Sequence, residues 1–221
     1  MLKIEPLGDR DVVEAAQLHR VVLDMEFLSR FGPRFMRTYY RAWIHSPGGL
    51  ALVARERDGA LLGVLLGASD PALHVRAMVR DHGLGLAGSI AARALTSPPL
   101  AKDLIITRAR RYLRGLYRLA LKRRATSSAG SNDGTGRRVG EITHVLVDPG
   151  ARSRGVGREL VAAAVALVRE AGVQELTLVT PPDMDARHFY ERLGWFQEGS
   201  MQSQSGEEFL KFRLHLDAAE D

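Results

Sequence analysis

The spacing of apolar residues along the chain predicts alternating strands and helices. Residues 2–6 alternate briefly and predict a first strand, after which Asp9 or Asp11 can cap a first amphipathic helix. A second helix begins near Gly32-Pro33 and ends at residues 46–49, which are Ser, Pro and Gly. Such a helix either packs on a core through its apolar stripe or lines a pocket with its aromatic rings. The stripe consists of Phe35, Met36, Tyr39, Tyr40, Trp43 and Ile44.

A hairpin follows the two helices. Residues 50–57 and 60–66 have the composition of strands, and Asp58-Gly59 between them is a strong turn signal. Residues 71–138 are different, because they are helical in pattern and are divided at Ser97-Pro98-Pro99.

The C-terminal half returns to strands and helices with clear stop signals. Pro and Gly residues mark most of the boundaries, because they end strands and helices for steric reasons. The predicted elements are a strand that ends at Asp148-Pro149-Gly150, a helix over 157–171, a strand over 173–180, a helix that stops at Gly194, and strands from 196 onward and over 208–216.

One loop of this half carries more candidate chemistry than any other. The residues from Arg152 to Arg158 open a helix directly after a strand, so the unpaired N–H groups and the positive dipole end of the helix are available to an anion. Gly155 and Gly157 lack the Cβ atoms that would keep a large anion away, and Arg154 adds positive charge beside them. The loop is therefore predicted to bind a pyrophosphate.

The order Arg-x-x-Gly-x-Gly resembles the acetyl-CoA pyrophosphate loop of the GNAT N-acetyltransferase superfamily, whose pattern is Gln/Arg-x-x-Gly-x-Gly/Ala. The flanks agree with the resemblance. Residues 145–149 are similar to the family's fourth strand and its exit, residues 175–180 to its fifth strand, and residues 186–195 to its A-x-x-x-Y-E-x-L-G-F helix end. The similarity is close over residues 139 to about 216 and looser over the first 70 or so.

The resemblance implies a mixed α/β GNAT acyl-CoA N-acyltransferase fold whose two central strands splay apart. It also implies a general acid at Tyr190, and an asparagine that contacts the cofactor in many members is replaced here by Asp183. Backbone N–H groups of the fourth strand would stabilise the oxyanion. The implied contacts to acetyl-CoA are Val145, Leu146, Val147, Arg152, Ser153, Arg154, Gly155, Val156, Gly157, Arg158 and Asp183.

Two residues compete as the general base. Glu141 precedes Arg152 by 11 residues, which is the interval between base and loop in the superfamily's histone acetyltransferases, and we favour it for that reason. His144 is the alternative, because an imidazole titrates near neutral pH. In a regular strand the two side chains would face opposite sides, so both can approach a substrate only if a bulge intervenes.

Composition narrows the class of protein. A chain of 221 residues is long enough for one large domain, and the absence of cysteine excludes disulfides, thiolate metal sites and a cysteine nucleophile. The longest apolar run, Leu160 to Val168, has nine residues, fewer than the roughly 18 that a bilayer span needs. We therefore expect a single domain over residues 1–221 in the cytoplasm.

Positive charge is concentrated between the third and fourth strands. Residues 71–140 contain 14 Lys and Arg against three Asp, a net charge of +11, whereas the whole chain carries +5. We interpret residues 71–124 as a basic helical insert and 125–138 as a flexible linker rich in Ser and Gly. The basic face from 108 to 122 predicts docking to a membrane surface, a nucleic acid or another anionic partner, or is an ordinary solvated face.

The insert also spells G-x-G-x-x-G from Gly83 to Gly88, with Asp103 about 20 residues on. We reject a nicotinamide cofactor, because no strand-like segment precedes the glycines. The seven histidines form no H-E-x-x-H or similar pair, so no metal is expected.

The sequence thus predicts an N-acetyltransferase that transfers an acetyl group from acetyl-CoA to a primary amine by direct attack on the thioester. The alternative is a non-catalytic acyl-CoA-binding or regulatory protein that docks an anionic partner through its basic insert. A nucleic-acid-binding module is a third and less favoured interpretation. The acceptor stays open among amino sugars, peptide amines and small amines, and the edge strand after residue 208 could pair two subunits in a homodimer.

Overall fold

The computed structural model describes residues 2–23, 27–97, 136–182, 185–202 and 207–216. Short 3₁₀ turns and a π-helical segment, Met78–His82, connect some of the elements. The strands are β1 (Lys3–Pro6), β2 (Gly49–Arg55), β3 (Leu61–Ala68), β4 (Val139–Val147), β5 (Glu175–Thr180), β6 (Phe196–Gln202) and β7 (Glu208–His215). The helices are α1 (Val12–Val22), α2 (Gly32–His45), α3 (Pro71–Ala77), α4 (Gly83–Thr96), α5 (Val156–Glu170) and α6 (Ala186–Arg192).

The strands form one seven-stranded sheet in the order β1-β2-β3-β4-β5-β7-β6. The pair β4 and β5 is parallel, and the other neighbouring strands are antiparallel. A parallel pair needs a crossover connection, and α5 supplies it between β4 and β5. The mixed α/β fold expected from the sequence is therefore confirmed.

Two hydrophobic cores cover the two faces of this sheet. On one face α5 and α6 pack through residues such as Leu160, Ala164 and Tyr190. On the other face α1 and α2 pack through residues such as Met36 and Tyr40, both fully buried. Strand β3 is almost entirely buried because helices cover it on both sides.

Close approach of a helix explains one glycine of β3. A Cβ atom on Gly63 would stand 2.8 Å from the carbonyl oxygen of Leu146 and 2.9 Å from Cγ1 of Val156. The first turn of α5 therefore lies directly over the strand, which fixes where the loop before it sits relative to the sheet.

The segment between β3 and β4 starts with two helices. α3, the π-helical segment and α4 occupy residues 71–96, and α4 packs on the core beside α2 through Leu86 and Ile90. The G-x-G-x-x-G sequence lies in the first turns of α4 and follows another helix, so the strand that a dinucleotide-binding motif requires is not there. The expected basic helix after residue 98 and most of the expected linker lie outside the described residues.

A buried histidine fixes α3 against α2. His74 is 2% exposed, and its ring stacks on that of Trp43 with centroids 3.8 Å apart. Neither ring nitrogen has a hydrogen-bond partner among the described residues, and burial lowers the pKa of His74 from its ordinary 6.5 to about 4. The folded protein therefore holds this imidazole neutral where the unfolded chain would protonate it.

This burial predicts a loss of stability in mild acid. Because the folded pKa of His74 lies below its unfolded value, the contribution is complete above about pH 6.5 and is lost as the pH falls towards 4. Between pH 7.5 and 5 we expect the free energy of unfolding to fall by about 2 kcal/mol through this group. Urea denaturation of the wild type and of His74→Phe, which keeps a ring at the position, measures the difference. An equal loss in both proteins would contradict the assignment.

Candidate active site

The two central strands open into a V. β4 and β5 pair from Val139 opposite Glu175 to Ile142 opposite Leu178, but β4 continues to Val147 and β5 to Thr180 without further pairing between them. Alternate N–H groups of a strand point to each neighbour, so those beyond Ile142 that point away from β3 face the opening. The strands thus separate at the point where a substrate could enter the sheet.

The candidate oxyanion strand segment lies along this opening. Leu146 is 1% exposed and packs on the α1 and α2 side, whereas Val145 and Val147 are partly buried on the α5 side. The side chains of the three residues are thus taken up by the two cores, and their backbone is what remains for a ligand in the opening.

A β-bulge brings the two candidate bases to the same face of the sheet. Leu66 of β3 pairs with His144 and the next residue, Gly67, pairs with Ile142, so Thr143 is an extra residue on β4. The side chain of Ile142 lies in the α5 core, which directs Glu141 to the opposite face, and the extra residue turns His144 to that face as well.

Glycine makes this bulge possible. A Cβ atom on Gly67 would stand 2.7 Å from the carbonyl oxygen of Glu141, closer than real Cβ contacts come.

Burial raises the pKa of the Glu141 carboxyl, while the neighbouring His144 acts to lower it. A carboxylate whose pKa moves towards neutrality is better matched to proton transfer at physiological pH.

His19, which the sequence analysis did not single out, lies beside His144 together with tyrosines of the α2 stripe. His19 of α1 is fully buried, and its ring centroid lies 4.9 Å from that of His144. Nδ1 of His19 lies 3.1 Å from the hydroxyl oxygen of Tyr40, and the ring of Tyr39 lies 6.3 Å from His144. The aromatic stripe of α2 is therefore core and also forms the wall behind the candidate base.

The glycine-rich loop leads from the end of β4 into α5. Gly155 is the N-cap of α5 with φ of 83°, and Ser153 also has a positive φ of 60°. Gly155 has no side chain to cap the helix, so the first N–H groups of α5 are open to an external acceptor. A Cβ atom on Gly155 would meet nothing within 4 Å, which leaves space over the helix end. These features fit a bound pyrophosphate.

The arginines of the loop differ in their surroundings. The side chains of Arg152, Arg154 and Arg158 are all exposed. Nη2 of Arg154 lies 2.6 Å from Oε1 of Glu56 on the β2–β3 hairpin, so this guanidinium already holds a carboxylate that an incoming anion would have to displace or share. Arg158 lies 3.2 Å from Glu159.

Two residues at the start of α5 contact the body of the protein. The side chain of Val156 is 2% exposed and lies in the core, so only its backbone can serve a ligand. A Cβ atom on Gly157 would stand 3.4 Å from the ring of Phe189 on α6, and the loop therefore lies close to that helix.

Tyr190 lies on the α5 face of the sheet, opposite to Glu141 and His144. It is 7% exposed and packs between Trp195 and Phe212, with ring centroids 5.8 Å and 6.0 Å away. Burial raises its pKa to about 12, so its hydroxyl keeps its proton throughout the physiological range. The candidate base and the candidate proton donor therefore lie on opposite faces of the sheet. Asp183 lies outside the described residues.

The described parts of the chain contain no group of three or more His, Asp or Glu side chains placed to hold a metal ion. Among the same residues, no helix is both long enough and apolar enough to cross a membrane.

Comparison with known proteins identifies a family that matches the part of the chain around the site. The sequence profile of the Acetyltransferase (GNAT) family matches residues 105–195, which include β4, the glycine-rich loop, α5, β5 and α6. Over these residues the chain is similar to the GNAT family. The similarity implies acetyl-CoA as the cosubstrate and an amine as the acceptor. The family expected from the loop and its flanks is thus confirmed.

Solved GNAT structures share the fold over the whole chain. A structure described as histone acetyltransferase HPA2 and related acetyltransferase from Corynebacterium glutamicum ATCC 13032 has a TM-score of 0.57, 18% identity, and coverage of 100% of this chain and 99% of its own. An acetyltransferase of the GNAT family from Streptococcus pneumoniae has a TM-score of 0.55, 15% identity, and coverage of 98% and 99%. At these identities the similarity shows the fold alone.

A curated relative matches a shorter part of the chain. It is the rice protein (Oryza sativa subsp. japonica) named "Probable glucosamine 6-phosphate N-acetyltransferase 2", which is 34% identical over 64 residues, or 29% of this chain. The match spans 37% of the length of that relative.

Proposed function

We propose that the protein transfers the acetyl group of acetyl-CoA to a primary amine by direct attack of the amine on the thioester. One observation carries the proposal. The V between β4 and β5 opens beside the glycine-rich start of α5, and the bulge at Thr143 turns His144, at the start of the opening, and Glu141, in the last paired part of β4, towards the same face of the sheet. One strand and the loop that follows it would thus supply both a site for the anionic part of the cosubstrate and a proton acceptor.

The loop and β4 divide the task of holding acetyl-CoA. The N–H groups of Val156, Gly157 and Arg158, together with the αL turn at Gly155, would hold the pyrophosphate, and the exposed side chains of Arg152, Ser153, Arg154 and Arg158 would flank it. The backbone of Val145, Leu146 and Val147 would align the thioester arm in the V. Acetyl-CoA then supplies an acyl group activated as a thioester.

The side chains on the two faces would handle the protons. The acceptor amine, with an ordinary pKa near 10, must lose a proton, and Glu141 would accept it. N–H groups of β4 would stabilise the charge that develops on the carbonyl oxygen as the new C–N bond forms. Tyr190 would donate a proton to the sulfur as the C–S bond breaks, because its raised pKa keeps the hydroxyl protonated until then.

Titration with acetyl-CoA by calorimetry tests the cosubstrate site. Gly155→Glu places a carboxylate and a side chain where the pyrophosphate would lie, and we expect acetyl-CoA affinity to fall at least tenfold, or below detection. The variant also carries strain, because only glycine adopts φ of 83° at low cost.

Gly136→Glu is the matched control for that strain. Gly136 also has a positive φ, of 78°, and an added Cβ there would meet nothing within 4 Å. It precedes the first residue of β4, whereas the glycine-rich loop follows the last residue of that strand. Nine strand residues span about 30 Å, so the control position is far from the loop. Binding by the wild type and by Gly136→Glu but not by Gly155→Glu supports the site. Absence of binding to the folded wild type overturns it.

Turnover separates an enzyme from a binding protein. Release of CoA is measured with a panel of amines, in which glucosamine 6-phosphate comes first because of the name of the rice relative, followed by other amino sugars, peptide amines and small amines. CoA release with any of these amines supports the transferase. Tight acetyl-CoA binding without turnover on all of them favours the non-catalytic alternative.

A further inference from the structure

A second concave site lies on the far side of α2 from the candidate active site. It is a cleft of about 730 Å³ between the 3₁₀ helix Phe27–Phe31, the first turns of α2 and the exposed side of α4. This volume falls within the roughly 300–1,000 Å³ typical of small-molecule sites. We call it the α2–α4 cleft.

Four arginines line the α2–α4 cleft, namely Arg20, Arg30, Arg34 and Arg93. Its lining within the described residues contains no Asp or Glu. Like charges gathered around one concave space repel each other unless an ion of opposite charge lies between them. Guanidinium groups also match phosphate oxygens in two-point hydrogen bonds, so the lining suits a phosphate better than any neutral group.

Small residues on α4 make the room in this cleft. Gly85, Gly88, Ser89 and Ala92 share the face of α4 that lines it. A Cβ on Gly88 would meet nothing within 4 Å, so packing does not require glycine there, although a glycine inside a helix costs about 0.5–1 kcal/mol relative to alanine. The effect of these residues is a wider cleft with a hydroxyl, that of Ser89, on its wall.

The α2–α4 cleft is separate from the acetyl-transfer site. Arg34 and Thr38 of α2 line it, whereas Tyr39 and Tyr40 pack on His144 and His19. At 100° per residue, Thr38 and Tyr40 point to opposite sides of the helix, so α2 stands between the two sites.

We propose that the α2–α4 cleft binds a small molecule carrying two or more phosphate charges, independently of acetyl transfer. Arg30 has a further interaction within the protein, and the other three arginines, Arg20, Arg34 and Arg93, still exceed the charge that a single carboxylate would balance and match that of a diphosphate group. The concave form favours a small molecule over a nucleic-acid backbone, which needs an extended positive surface.

Inorganic pyrophosphate is the probe, and backbone amide signals in ¹H–¹⁵N NMR spectra of the full chain show where it binds. Thr38, Gly88 and Ser89 report on the α2–α4 cleft, and Gly157 and Arg158 report on the loop before α5. Sodium chloride at matched ionic strength is the reference for screening. We expect saturable shifts of the cleft signals with pyrophosphate and not with chloride.

A pair of charge reversals on one helix makes the test specific. Arg34→Glu alters the lining, and we expect it to weaken binding at the cleft signals about tenfold or more. Glutamate at this third position of α2 is favoured by the helix dipole, so the fold should be retained. Arg37→Glu makes the same charge change at an exposed position of α2 outside the cleft, and we expect an affinity within about twofold of the wild type.

Three outcomes would overturn the proposal. The first is a response of the cleft signals to pyrophosphate that equals the response to chloride. The second is a response confined to Gly157 and Arg158. The third is an equal loss of affinity in Arg34→Glu and Arg37→Glu, which would indicate a general effect of net charge.

Discussion

Replacing Glu141 with glutamine is expected to lower kcat/KM by about 100-fold or more while leaving acetyl-CoA affinity unchanged. Glutamine keeps the shape of the side chain and cannot accept a proton from the amine. The loop that would hold the cosubstrate lies beyond the other end of β4 and does not depend on this side chain. CoA release with an amine that the wild type acetylates, measured beside calorimetry with acetyl-CoA, separates the two effects.

The pH profile gives this prediction a second readout. A general base acts only when it is deprotonated, so kcat/KM of the wild type should rise with pH through the pKa of Glu141. Burial raises that pKa above the ordinary 4.5, against the opposing effect of His144, so the rise should lie above pH 4.5. Glu141→Gln should lose this rise together with the activity.

His144→Gln distinguishes the two candidate bases. If His144→Gln loses both the activity and the rise of kcat/KM with pH, while Glu141→Gln keeps more than half of the wild-type kcat/KM, then the imidazole is the base. If both variants keep their activity, neither residue transfers the proton, and the shared orientation produced by the bulge has no catalytic role.

The regular elements were predictable because their stop signals are local. The hairpin turn at Asp58-Gly59 lies between observed strands that end at Arg55 and begin at Leu61, and Gly172, with φ of 74°, follows the helix predicted over 157–171 and observed over 156–170. Each signal depends on the conformation of one or two residues, which tertiary contacts seldom override.

The sequence did not decide whether β4 contains a bulge, although one residue signals it. An isolated glycine within a strand often marks a bulge, and Gly67 of β3 is such a residue, although it lies one position beyond the strand predicted over 60–66. Its effect appears on the neighbouring strand, at Thr143, and the partner and register of β4 are set by contacts across the insert. A single sequence does not supply that pairing.

Contacts between segments that are distant in the sequence account for the remaining features of the site that the sequence did not predict. His19 lies on the apolar face of α1, and its position in the sequence indicates only a core residue. In the folded chain α2 and β4 place Tyr40 and His144 beside it. The ion pair between Arg154 and Glu56 joins residues that are 98 positions apart. Neither pattern has a local signature in the chain.

The second large effect is expected on stability. Glu175→Gln should lower the free energy of unfolding by about 3 kcal/mol, which corresponds to a fall in Tm of about 6–12 °C for a chain of this size. Glu175 is 4% exposed and pairs with Arg137 at 2.7 Å, with Arg213, and with His215 at 3.3 Å. Removing its charge takes one carboxylate from the guanidinium of Arg213, which is 9% exposed and also pairs with Glu198.

This network matters for the site because of where it lies. Glu175 begins β5 and stands opposite Val139, the first residue of β4, so the charges bind the closed end of the V. Arg137 and then Arg213 hold the pKa of Glu175 below its ordinary 4.5. A lowered carboxyl pKa means that the stabilisation is complete above about pH 4.5 and is lost as the pH falls through the folded pKa. The difference between wild type and Glu175→Gln should therefore shrink in strong acid.

Glu191→Gln is the matched control. Its carboxylate also pairs with an arginine, Arg187 at 2.9 Å, but it is 38% exposed and lies on the surface of α6. Exposed pairs four residues apart on a helix contribute about 0.3–0.5 kcal/mol, so its Tm should change by about 2 °C or less. Thermal unfolding of the three proteins at pH 7 and at pH 3 makes the comparison. Equal falls in Tm for the two variants would mean that burial adds no stability to the Glu175 network. The closed end of the V would then depend on the pairing of β4 with β5 and on the two cores alone.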